Sequence, residues 1–322
     1  MGAVNGVERA RLAAGRPLGA TGLEVTSVCV GGAPLGSLPQ NFGYEVSEEQ
    51  GIATVIAAFT SSFRMIDTAA GYSGGESERR IGRAIELAGG LPAGMRVSTK
   101  VASTKGRLNA NDVRRSVEAS LDRLGLEIID VLHLHDPEYL DQDLLLKPGG
   151  AVEELVRLKE QGLARTIGIA GGTLSVMERF VRTGLFDVML THNRWTLADR
   201  TAGPLIREAA AMGMGVVNAA PFGGGLLARG ARHVDTYCYR ALNQQTRLAV
   251  ERVEALCREG GVPLGAAALQ FSLRNPLIDS TVVGVSRPER IEQTEQWASW
   301  PIPADLWQEI ESSANESAGL DD

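Results

Sequence analysis

Cysteine is scarce in this chain of 322 residues: Cys29, Cys238 and Cys257, an odd number with no metal-like spacing. That speaks against a disulfide framework or a cysteine-built zinc site and suits buried or idle thiols in a reducing compartment. Aromatic residues make up only 5% and histidines number four, so each one at a strand end carries weight. Positive charge is short as well. A formal net charge of −7 argues against nucleic acid or an anionic membrane as partner, since both select basic surfaces. No apolar run approaches the length that spans a bilayer. The opening segment mixes Gly, Ala, Glu and Arg without an apolar centre, and so reads as a tail and not a signal peptide. We expect a cytoplasmic protein whose partners are small molecules.

What the chain does have is alternation. Val25 to Val30 reads as a buried strand after a small hairpin with Thr21-Gly22 at its turn. Ser47-Glu48-Glu49-Gln50 then opens a helix, with Ile52, Val55, Ile56 and Phe59 on one face. Further apolar strands end near Asp67, Lys100, His135, Ala170, Thr191, Ala220 and Val283, each followed by a helix, the one after Ala220 reached through a long Gly-rich loop. Eight such units predict an α/β fold of one kind, a single (β/α)8 barrel over residues 16–315, with an N-terminal hairpin and extra C-terminal helices. Residues 1–15 and 316–322 are expected to be flexible tails. A doubly wound dinucleotide fold would place Gly-x-Gly-x-x-Gly directly before its first helix. Here Gly31-Gly32-Ala33-Pro34-Leu35-Gly36 is followed by ten more residues before Ser47, which argues against that fold.

In a barrel, Asp67, Lys100 and His135 end consecutive strands on one rim, with Tyr72 on the loop above. Each alone has an ordinary structural explanation; together they form a proton-transfer set. A lysine beside a phenol favours the phenolate and lowers its pKa, and a buried lysine requires a carboxylate such as Asp67. His135 is placed to hydrogen-bond a substrate oxygen, while His133, one layer deeper, reads as a buried structural histidine. Such a set handles the proton of a carbonyl–alcohol interconversion, and a cofactor must carry the hydride. Metal-dependent chemistry is weakly supported, because no carboxylate pattern near the histidines is metal-specific.

These residues, with Gly75-Glu76-Ser77-Glu78-Arg79-Arg80-Ile81-Gly82, Asp130 to Pro137 and Ser286-Arg287-Pro288-Glu289-Arg290-Ile291, resemble the aldo-keto reductases over nearly the whole chain. The segment Asp67–Gly82 and the run Asn193–Arg200 look most like the bacterial branch of sugar 1-dehydrogenases. The resemblance implies an NAD(P)-dependent oxidoreductase in which Tyr72 is general acid or base, tuned by Lys100 and Asp67, with His135 orienting the substrate. It further implies NADP or NAD held by Gly32, Asp67, Ala170, His192, Asn193, Ala219, Pro221, Phe222, Gly223, Gly225, Leu226, Ser286, Arg287 and Arg290.

The chain departs from the family's usual pattern in ways that bear on function. The Ser-Asn pair that holds the nicotinamide amide is replaced by Ala170-Gly171, the usual Gln falls at His192, and the stacking aromatic falls at Ala219. His192, Asn193 and Asn218 are the candidates to take over those bonds. Asp136 follows the catalytic histidine where aldehyde-reducing members often carry an aromatic. A carboxylate there would accept hydrogen bonds from sugar hydroxyls, or else simply start the Asp136-Pro137 turn. Trp195 would offer an apolar face to a sugar ring. The expected reaction is hydride transfer between nicotinamide and a sugar or similar polar carbonyl. Alternatives are a reductase of small aldehydes or pyridoxal, and a cofactor-binding regulatory subunit with little turnover.

Overall fold

The computed structural model describes residues 6–101, 103, 106–238 and 240–314. Eight parallel strands close into a barrel: β1 Val28–Gly31, β2 Met65–Asp67, β3 Arg96–Val101, β4 Ile129–His135, β5 Ala164–Gly171, β6 Val188–His192, β7 Gly215–Ala219 and β8 Ser280–Gly284. They pair in chain order, and β8 shuts the ring against both β7 and β1. The expected (β/α)8 architecture is what the chain forms.

Around the ring lie α1 Glu48–Phe59, α2 Glu76–Leu87, α3 Ala110–Leu124, α4 Ala151–Glu160, α5 Leu174–Val181, α6 Gly203–Ala211, α7 Gln244–Glu259, α8 Leu264–Leu273, α9 Glu289–Ala298 and α10 Ala304–Ala314. Local chemistry sets several starts. Ser47 accepts from the Gln50 amide to begin α1, and Asn109 and Asp112 form a reciprocal capping box on α3. The buried face of α1 differs from the one its apolar residues suggested. Gly51 lets the helix come within reach of the Leu35 carbonyl, so Gly51, Thr54, Val55 and Ala58 face inward and Ile56 is 39% exposed.

The hairpin pairs Arg16–Pro17 with Glu24–Val25, so β1 starts later than the sequence implied. Its Leu18, Leu23 and Val25 pack with Cys29, Met65, Val131, Val188 and Val217 inside the barrel. A Cβ on Gly215 would come within 2.6 Å of Leu18 Cγ, so glycine admits the plug that fills the N-terminal end of the barrel. With that end packed, the cleft opens at the C-terminal ends of the strands. Gly6–Leu12, within the expected tail, forms a short helix with Leu12 buried. Residues 1–5 of the expected N-terminal tail and the whole expected C-terminal tail, with residue 315, lie outside the described residues. No helix among the described residues is long and apolar enough to cross a membrane.

Candidate active site

Asp67 closes β2, and strand register puts it beside Gly31 on one side and Ser98 on the other. Lys100 is level with His133, and His135 with Ala170. Because side chains alternate along a strand, Asp67, Ser98, Lys100, His133 and His135 all point into the barrel. The turn carrying Tyr72 is fixed from below. Ser77 Oγ donates to the Gly32 carbonyl at 2.8 Å and lies 2.8 Å from Thr68 Oγ1. Glu78, fully buried, accepts from Thr99 Oγ1 (2.6 Å) and Arg123 Nε (2.7 Å). Gly75 has φ +91°, and a Cβ there would sit 2.8 Å from Arg123 Nε; glycine is required on both counts.

Lys100, 2% exposed, donates to Asp67 Oδ2 at 2.5 Å and to the Thr68 carbonyl at 2.7 Å, with Tyr72 Oη 3.5 Å away. Ser98 Oγ donates to the other Asp67 oxygen at 2.8 Å. The buried lysine thus has its counter-charge and the carboxylate has both oxygens occupied. Tyr72 and His135 rings meet edge-to-face at 5.7 Å.

Burial is the largest influence on the Tyr72 phenol and raises its pKa, against the lowering effect of Lys100. The net direction is upward, opposite to the expectation from the lysine alone, because desolvation of a phenolate outweighs a cation that Asp67 already engages. Lys100 is pulled down by burial, but Asp67 and Tyr72 more than reverse this, so its ammonium persists far above neutrality. Burial takes His135 down to about 4, so its imidazole is neutral across the physiological range and offers an N–H rather than a charge. His133 is fully buried, neutral for the same reason, and has no hydrogen-bond partner at either ring nitrogen.

Above this set lies a cleft of about 660 Å³, with Ala170, Leu190, Ala219 and Val282 as an apolar floor. A phenol, a paired lysine and a neutral imidazole beside an apolar slot form a site for proton exchange with a carbonyl or alcohol oxygen. The sequence pattern of the Aldo/keto reductase family matches residues 27–315. The chain belongs to the aldo-keto reductase family. It is similar to a D-threo-aldose 1-dehydrogenase of Pseudomonas sp, 32% identical over 90% of this chain and 94% of the relative. It is also similar to the L-galactose dehydrogenase of Arabidopsis thaliana, 33% identical over 86% of each. An aldo-keto reductase from Bacillus halodurans solved in its holo form shares the fold, with TM-score 0.73 and 22% identity over 93% of this chain and 95% of that one. Family and site together make this an NAD(P)-dependent oxidoreductase with a Tyr72–Lys100–Asp67 catalytic triad.

The structure suits that cofactor. The apolar floor next to Tyr72 takes a flat ring, and at its edge Gly31 and Gly284 pack closely, since a Cβ on Gly31 would meet Val282 at 3.0 Å. At the start of α9, Arg290 is depressed by burial and by Arg287 beside it, and Arg287 has no hydrogen bond or ion pair among the described residues. Neighbouring guanidiniums with no ion pair to a carboxylate among the described residues are of a kind that suits a phosphate. Ser286 contributes its carbonyl to Gln50 Nε2 (2.6 Å) and so ties this corner to α1.

Not every expected residue reaches the cleft. Asp67, Ala170, His192, Asn193 and Ala219 line it, as do Tyr72, His135 and Asp136. Gly32 sits just beneath, its amide on the Asp67 carbonyl at 2.7 Å, and Gly31 takes the lining position. Pro221, Phe222, Gly223, Gly225 and Leu226 lie beyond the cleft wall. Phe222 meets Trp297 edge-to-face at 5.5 Å, Leu226 is buried, and the left-handed Gly223 lies under the Tyr237 ring. Trp195 is no wall of the substrate cleft: past the left-handed turn at Asn193 it stacks on Phe271 at 5.2 Å, among the helices. Phe42 and Tyr139 line the mouth instead, with Asn41 and Arg240. Glu138 was not foreseen either. It accepts from the Gly172 and Thr173 amides at 2.8 and 3.3 Å and so holds the turn that leads into α5. Asp136, Glu138 and His192 bring ligand-type atoms within 4.8 Å of one another; Glu138 Oε1 takes those amides while its Oε2 is buried without a hydrogen-bond partner, and His192 Nε2 lies 3.4 Å from Asp136 Oδ1.

Proposed function

We propose that the substrate is an aldose or a closely similar hydroxylated aldehyde, interconverted with its oxidised product at the carbon next to a hydroxyl. The observation that carries this reading is Asp136. Its carboxylate Oδ2 lies 3.5 Å from His135 Nε2, at the cleft wall and one residue from the group that orients the reacting oxygen. A hydrogen-bond acceptor at that spacing suits a hydroxyl vicinal to the reacting one, because carboxylates only accept. Asp136 holds a left-handed backbone, φ 44°, an unfavourable state for a side chain other than glycine. The names of the two relatives, both sugar dehydrogenases, support the same class.

The residues of the apolar floor would hold a nicotinamide, which when bound would supply or take up the hydride. Tyr72 Oη gives its proton to the substrate oxygen in reduction and recovers it in oxidation, while Lys100 keeps positive charge beside the phenolate. The neutral His135 donates an N–H to the same oxygen. Ser286, Arg287 and Arg290 would hold the adenosine phosphate end. Three buried, unpaired thiols suit the reducing cytoplasm as the place of work.

The deciding comparison is an aldose against its 2-deoxy counterpart, with wild type and Asp136→Asn. We expect the 2-deoxy sugar to lose about tenfold or more in kcat/KM with wild type and much less with the variant. Equal kcat/KM for both sugars with wild type would refute the vicinal-hydroxyl reading.

A further inference from the structure

Beside the apolar floor, Asn193 keeps an acceptor that no group among the described residues uses. Asn218, a sequence candidate for holding the cofactor's amide, points away from the cleft and donates to the Trp195 carbonyl (2.9 Å) and Ser272 Oγ (2.8 Å). His192 does line the cleft, but both its nitrogens are engaged. Its Nδ1 lies 3.1 Å from Asn193 Nδ2 and its Nε2 3.4 Å from Asp136 Oδ1. An amide nitrogen can only donate, so Nδ1 accepts, and the proton of a neutral ring sits on Nε2, facing the carboxylate.

That chain of bonds fixes Asn193. With Nδ2 turned to His192, its Oδ1 has no hydrogen-bond partner among the described residues, and the residue lines the cleft. The backbone around it is built for the purpose. Asn193 has φ 65°, and this left-handed state is held by its amide on the Ala219 carbonyl (3.2 Å) and its own carbonyl under Tyr237 Oη (3.3 Å). The imidazole that locks it has room because position 172 is glycine, where a Cβ would come within 2.5 Å of His192 Cε1.

We propose that Asn193 Oδ1 accepts the carboxamide N–H of the nicotinamide, and that His192, tied to Asp136, is the positioning residue that holds this acceptor in place. The carboxamide is the one neutral donor on the ring, and Asn193 Oδ1 is an acceptor already oriented and waiting at the floor's edge. The chain Asp136–His192–Asn193 then joins the substrate side of the cleft to the cofactor side. The proposal rests on nicotinamide use and not on the identity of the substrate.

Asn193→Gly is the clean variant, since glycine keeps the left-handed backbone and removes only the amide. Affinities are read by fluorescence for the oxidised dinucleotide that wild type prefers and for the matching ADP-ribose, which lacks nicotinamide. The variant is expected to weaken the dinucleotide about tenfold and to leave ADP-ribose within about twofold. His192→Ala, which unlocks the amide without removing it, is expected to weaken the dinucleotide by a smaller factor, about threefold, again sparing ADP-ribose. An unchanged dinucleotide affinity in Asn193→Gly, or equal weakening of both ligands, would overturn the assignment. No effect of His192→Ala would overturn the positioning role of His192.

Discussion

The Lys100 ammonium is bound to Asp67 at 2.5 Å, a buried ion pair with neither side chain more than 5% exposed. Removing the charge of one partner leaves the other uncompensated in the interior. Asp67→Asn is therefore expected to cost about 3–5 kcal/mol of stability, measured by urea unfolding, as well as activity. A variant with the wild-type midpoint would mean that the pair is not the charge balance it is taken for.

Lys100 is the influence that offsets the burial of Tyr72. Burial raises the phenol and the lysine opposes it, so Lys100→Met should push the phenol higher still. In the oxidation direction, which needs the phenolate, the rising limb of kcat against pH should move to more alkaline pH, and turnover at neutral pH should fall. A slower enzyme with an unmoved limb would show that the lysine acts by packing alone.

The pH dependence of stability has its own source. An unfolded imidazole titrates near 6.5 and folded His135 at about 4, with His133 also lowered. Between about 6.5 and 4 the unfolded chain binds the additional protons, so stability falls as pH drops through that window and is level above it. Urea midpoints at pH 7.5, 6 and 5 should decline in that order, and more shallowly in His133→Leu. Midpoints that rise toward acid pH would contradict buried neutral histidines.

How much of this was legible in the sequence follows from locality. The set could be read because Asp67, Lys100 and His135 end consecutive strands, where alternation aims them inward, and Tyr72 follows on the turn after Asp67. Helix starts at Ser47 and Asn109 were visible because their caps lie within three residues. Glu138 was invisible because the amide it accepts from lies 34 residues away. The exposed Ile56 and the outward Trp195 follow from tertiary fits, one at Gly51 and one past the turn at Asn193. Nor could the raised Tyr72 be anticipated from its lysine, since the sequence carries no measure of burial.

One tight fit gives a packing prediction. A Cβ on Gly168 would stand 2.2 Å from His133 Nδ1, with the Val188 carbonyl at 3.1 Å. Gly168→Ala should therefore destabilise the barrel by about 1–3 kcal/mol, and Gly168→Ala with His133→Ala should regain part of that. Thermal unfolding of the two variants decides it; no recovery in the double variant would mean that the imidazole is not what fills the glycine's space.

Catalysis here is hydride transfer with Tyr72 as the proton carrier. It is tested most directly by following nicotinamide absorbance with NAD+ and NADP+ against a panel of aldoses, for wild type and Tyr72→Phe side by side. Wild type should show a clear rate with at least one aldose, and the phenylalanine variant a loss of about 10²–10⁴-fold in turnover with cofactor binding retained. A Tyr72→Phe enzyme as fast as wild type would contradict it.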